Sequence, residues 1–162
     1  MNNFFTLTLL IKLIASFFGS AAFAVIFNVN KRHVIFGALN GLFTYFVYYA
    51  VYYFLKSMFV AALLSTAIAA AFAEILARKR HAPSSVFLIP GVIPTVPGSN
   101  LYFFMRYILE KNMTLALTEL GIALSIALGI ASGTVGVSIT WGIINDRLAK
   151  RKAQKEKKHS RA

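Results

Sequence analysis

The sequence predicts an all-α polytopic membrane protein with five transmembrane helices, the fourth broken by a Pro/Gly-rich unwound stretch. Three observations carry this reading. Hydrophobic residues make up 58% of the 162, and only 14% are charged, against about a quarter in a soluble domain. The apolar residues fall in stretches of about 20 or more, long enough to cross a bilayer. Three of the four prolines, Pro90, Pro94 and Pro97, lie within eight residues, with Gly91 and Gly98 beside two of them.

In chain order the expected spans are residues 4–27, 34–55, 57–77, 84–109 and 113–145, forming one transmembrane module over residues 1–146. A polybasic tail, residues 147–162, follows. The SAAFA run of the first span, with Ala22 and Ala24, resembles a cleavage site. No basic residue precedes Lys12, however, so the n-region of a signal peptide is missing and the first span is expected to stay. The fifth stretch, about 50 Å at 1.5 Å per residue, exceeds a hydrocarbon core of about 30 Å. It must tilt, protrude or break, and Gly133-Thr134-Val135-Gly136 is the natural break.

Charge sets the orientation. With five spans, 13 of the 17 basic residues fall on one face: Lys31 and Arg32, then Arg78, Lys79 and Arg80, then the tail. Lys56, Arg106 and Lys111 fall on the other, which places the amino terminus outside and the tail in the cytoplasm. The net charge of +12 therefore reflects topology and attraction of the tail to anionic lipid headgroups, and no nucleic-acid partner is expected.

Small residues repeat every four positions at Gly121, Ser125, Gly129 and Gly133, and again at Gly37 and Gly41. Such faces let helix backbones approach closely. Packing inside the chain is the first reading of each, and together they also suit contact with another subunit. The second span is aromatic, with Tyr45, Tyr49 and Tyr52 on one helical face. They are expected either to line a polar path or to pack against a neighbouring helix, since a buried phenol needs one hydrogen-bond partner.

Ionisable side chains at membrane depth are costly and therefore candidates for function. Glu119 lies roughly 10 Å into the fifth span at 1.5 Å per residue, and it is the expected proton-coupling carboxyl. Lys12 sits mid-span with no local partner, which directs it to a bundle interior or to a carboxylate on a partner chain. Arg106 and Glu110, four residues apart, are expected to pair. There is no cysteine, no helical His-x-x-x-His, no G-x-S-x-G elbow and no Gly-rich phosphate loop. No catalytic residue, metal site or cofactor is expected, and the chain is not read as an enzyme.

The proline cluster is the feature that most needs a reason. Each interior proline removes a donor and frees the carbonyl one turn earlier. In lipid such backbone is tolerated only where it is buried in protein or lines a cavity. Half-helices flanking an unwound stretch are how secondary transporters build midplane substrate sites, with half-helix N-termini aimed at anionic groups. Pro90, Gly91, Pro94, Pro97, Gly98, Ser99, Asn100 and Tyr102 are thus the expected substrate site or path, together with Tyr45 and Tyr49. The amides of residues 98–100 are expected to hold the carboxylate of a small substrate.

The run PGVIPTVPGSNLY (residues 90–102) resembles the P-G-x-x-P-x-x-P-G-x-x-x-Y pattern of the threonine/serine exporter family. FNVNKRH (residues 27–33), followed by Gly37, Gly41 and Tyr45, resembles that family's first cytoplasmic loop and second span. The chain departs from the family in its longer, more basic tail and in Asn30, where a proline is expected. The resemblance implies a bacterial inner-membrane exporter of small amino acids driven by the proton gradient. It also implies half of one, because members occur as a long fused protein or as two separate subunits. This chain resembles the shorter, carboxy-terminal module and implies a second membrane subunit of the same family as partner. An odd number of spans fits independently, since two such modules in opposite orientation form an inverted repeat. Export of small dicarboxylates, or a non-transporting scaffold role, are the alternatives.

Overall fold

The computed structural model describes residues 7–159, all helical between short turns. The helices are α1 (Leu7–Ile26), α2 (Lys31–Leu55), α3 (Met58–Arg80), α4 (Ser85–Val92), a 3-10 turn (Ile93–Thr95), α5 (Gly98–Leu109) and α6 (Met113–His159). Four of them are long and apolar enough to cross a bilayer. The pair Ser85–Thr95 and Gly98–Leu109, bent by 48°, is apolar enough when taken together to form a broken fifth span or a re-entrant loop, giving four to five candidate spans among the described residues. The protein is an integral membrane protein of the expected class. Residues 4–6 of the expected first span lie outside the described residues, as do the basic side chains of the tail apart from Arg147.

The turns form where the basic loops are expected. Asn28, Lys56, His81 and Lys111 each adopt a left-handed conformation (φ 50° to 56°) that ends a helix. Asn30 occupies the N-cap of α2, its Oδ1 accepting from the Arg32 amide at 3.2 Å. That gives the asparagine a use where a proline is expected, because an N-cap oxygen satisfies an otherwise orphaned amide. Ser57 caps α3 in the same way.

α2 and α3 form the centre. α2 packs against α1, α3 and α4, while α6 lies along α3 and then meets α5. The buried face of α3 is built from small residues at four-residue spacing: Ala61, Ser65, Ala69 and Ala73 in one row, Ala62, Thr66 and Ala70 in the next. Lipid tails are as apolar as leucine, so close backbone approach and dispersion hold these helices together. Gly129 and Gly133 of α6 seat against this face, where the Phe59 and Leu63 carbonyls and the Ala62 and Thr66 side chains occupy the space a Cβ would need. At the far end Arg78 lies 5.0 Å over the Trp141 ring and links α3 to α6 again.

α6 does not break at Gly133-Thr134-Val135-Gly136; it runs unbroken for 47 residues. A glycine costs a helix about 1 kcal/mol, whereas each backbone bond left open in lipid costs several. The excess length protrudes instead. At 1.5 Å per residue the helix is about 70 Å long, and the first part of the tail is its continuation rather than a separate segment.

Asn40 is the polar centre of the bundle. It is fully buried in α2, and its Nδ2 donates to the Ala69 carbonyl of α3 (3.3 Å) and the Phe87 carbonyl of α4 (3.1 Å). One side chain thereby fixes three helices, including the first half of the broken span. Nothing in the hydropathy pattern singles it out, since one amide on an apolar face changes no periodicity.

Candidate functional site

The broken span is less unwound than the three prolines imply. Helix persists through Pro90 to Val92, tightens to 3-10 over Ile93–Thr95, and is extended at Val96 (φ −62°, ψ 130°) before α5 begins at Gly98. The carbonyls freed by Pro90 and Pro94 belong to Val86 and Pro90. They lie 3.9 and 3.3 Å from where a Cβ would stand on Gly37 and Gly41 of α2, and so face its side-chain-free surface. The carbonyl freed by Pro97, that of Ile93, accepts from the Val96 amide at 3.1 Å. Thr95 donates to the Val92 carbonyl at 2.7 Å. The Ile93 and Val92 carbonyls are thus hydrogen-bonded locally, while those of Val86 and Pro90 face α2.

The expected residues divide between two faces of this break. Pro90 and Gly91 are buried in the bundle. Pro90 packs on Gly37, and Gly91 leaves the space that the Asn40 amide fills, so its lack of a side chain serves packing. No glycine has positive φ, so Gly91 and Gly98 hold backbone angles open to any residue. α5 buries no residue and leans on α6. Gly98, Ser99 and Tyr102 face outward there, with nothing of this chain within 4 Å of a Cβ on Gly98. The Gly98 amide bonds the Val96 carbonyl at 2.8 Å, which leaves Ser99 and Asn100 to supply the first-turn amides.

Asn100 and Glu119, singled out separately in the sequence, meet. Asn100 Nδ2 donates to Glu119 Oε2 at 2.8 Å, joining the first turn of α5 to the second turn of α6 at a half-buried position. Arg106 and Glu110 pair at 2.8 Å as expected, exposed near the end of α5. Glu119 therefore has a neutral, donating partner on the neighbouring helix.

On the other face of the break a cleft of about 290 Å³ opens between α1, α2 and the 3-10 turn, lined by Lys12, Ser16, Ser20, Tyr45, Ile93 and Pro94 among others. Tyr45 reaches it from α2. Its ring stacks on Tyr48 (6.3 Å between centroids) and that of Tyr48 on Tyr52 (6.5 Å). Lys12 and Ser20 were not expected at a common site. The available signal was their spacing, 12, 16 and 20 on one face of α1.

The small-residue faces resolve as packing within the chain at Gly37, Gly41, Gly129 and Gly133. Gly41 lies against Ser20 of α1. Gly121 is open, and Ser125 is half-buried.

Residues 12–140 match the family model described as Threonine/Serine exporter, ThrE. A threonine/serine exporter of Corynebacterium glutamicum is 30% identical over 124 residues, covering 76% of this chain and 25% of that protein. This chain thus spans about a quarter of that curated relative's length. No solved structure matches. With the family model spanning most of the chain and the proline-broken span in place, the protein belongs to the threonine/serine exporter family.

Proposed function

We propose that this chain is one membrane subunit of a proton-coupled exporter of small amino acids, threonine and serine above all. The observation that supports it most directly is the Asn100–Glu119 bond across the broken span, a titratable carboxyl tied to the element that bends. Substrate moves past the break without covalent chemistry. The first-turn amides of Ser99 and Asn100 favour an anion along that path, and Glu119 carries the coupled proton. A second membrane subunit of the same family completes the transporter. The outward-facing Gly98, Ser99 and Gly121, left open by this chain, are positions it would cover. The membrane is the bacterial inner membrane, with anionic lipid headgroups holding the tail.

In proteoliposomes holding this chain and its partner, an imposed proton gradient is expected to drive threonine and serine flux, with succinate as the comparison substrate. Neither subunit alone should transport. Full flux from the partner alone makes this chain a scaffold, and flux of succinate alone moves the substrate to small dicarboxylates.

The orientation proposed has the amino terminus outside. Reporter fusions at Lys56 and Lys111 should report the exterior, and those at Arg80 and Ala162 the cytoplasm. A cytoplasmic signal at Lys111 excludes five spans in this orientation.

A further inference from the structure

The cleft on the α1 side of the break has the chemistry of an anion site. Lys12 lies on α1 at membrane depth, where a lone charge is costly; it is exposed at the surface of this chain and not inside its bundle, and among the described residues its ammonium has no ion-pair partner. Ser20 is fully buried, lines the cleft, and its Oγ has no hydrogen-bond partner. A buried hydroxyl without a partner calls for a reason. Tyr45 adds a phenolic donor from α2. Ser16 differs: its hydroxyl donates to the Lys12 carbonyl at 2.7 Å, so only its lone pairs face a ligand. Lys12, Ser20 and Tyr45 thus bring an ammonium, a hydroxyl and a phenol from two helices to the lining of one cleft, with no carboxylate among the lining residues.

We propose that this cleft binds the carboxylate of the transported amino acid, with Lys12 as counter-ion and Ser20 and Tyr45 as hydrogen-bond donors. The proposal rests on the transport reading and adds to it a built site within this chain. A volume of about 290 Å³ lies at the low end for small-molecule pockets, which start at about 300 Å³, and so fits a small amino acid. Ile93 and Pro94 form one wall, so a bound ligand touches the 3-10 turn that leads into the bend. Ser20 also rests on Gly41, whose surface meets the Pro90 carbonyl. Occupancy is thereby felt at two points of the first half of the hinge, Pro90 and the turn that leads into the bend.

The test compares threonine with threoninamide, which has the same shape but no carboxylate, as competitors of labelled threonine binding to the complex of this chain and its partner. The wild-type complex is expected to prefer threonine by at least about tenfold, the size of a charge-assisted contact. Lys12→Gln should erase the preference, Lys12→Arg should keep most of it, and Ser20→Ala should weaken threonine several-fold while leaving threoninamide nearly unchanged. Undiminished preference in Lys12→Gln overturns the site while leaving the transport reading intact. Loss of the partner from Lys12→Gln on co-purification overturns it too, because Lys12 then pairs with a carboxylate of that subunit. A wild-type complex that neither binds nor exports threonine removes the transport reading and the site with it.

Discussion

Glu119→Gln is expected to abolish gradient-driven export while leaving substrate binding within a few-fold of wild type. The glutamine carbonyl can still accept from Asn100 Nδ2, so the 2.8 Å link between α5 and α6 survives in neutral form. The change from a charged to a neutral acceptor weakens that bond by about 1 kcal/mol, too little to unseat two helices. What is lost is the proton. An amide cannot load and release one, so no coupling passes through the position, and exchange of substrate across the membrane without net flux should persist. Proteoliposomes with and without an imposed pH gradient separate the two outcomes. Wild-type, gradient-dependent export by Glu119→Gln would remove this carboxyl from the mechanism. Asn100→Ala provides the complementary case: it breaks the link without removing the titrating group, and should slow export while keeping its dependence on the gradient.

Gly133→Leu is expected to unfold the module rather than detach a partner. The space a Cβ would enter holds the Leu63 carbonyl and the Thr66 hydroxyl, and backbone cannot step aside as a flexible side chain can. Over-packing at such a seam costs about 3 kcal/mol or more, a large part of the margin on which a folded chain of this size rests. Gly129→Leu meets the Phe59 carbonyl and Ala62 and should behave alike. The controls are Gly121→Leu and Gly136→Leu, positions with nothing of this chain nearby. They should leave thermal unfolding in detergent unchanged. If the second subunit sits on that side of α6, Gly121→Leu should reduce co-purification alone. A Gly133→Leu chain with wild-type yield and unfolding temperature would contradict the α3–α6 contact described here.

The sequence by itself determined the class, the candidate spans and the place of the break. Those follow from properties each segment carries alone: enough apolar length to span a bilayer, basic residues at the turns, and prolines that cannot donate. It also marked Asn100, by its place just after the proline cluster, and Glu119, as an ionisable group at membrane depth. Only the tertiary structure decided that these two bond each other, and that Lys12, Ser20 and Tyr45 face one cleft. It alone showed that Asn40 ties three helices and that Gly91 exists to admit it. It also decided that α6 stays whole through its glycines, where the sequence left tilting, protrusion and a break open. The physical reason is common to all of these. In water a helix buries its apolar stripe and so announces which face meets a neighbour. In lipid both faces are apolar, and helices choose partners by the fit of small residues and a few hydrogen bonds, which no single helix displays.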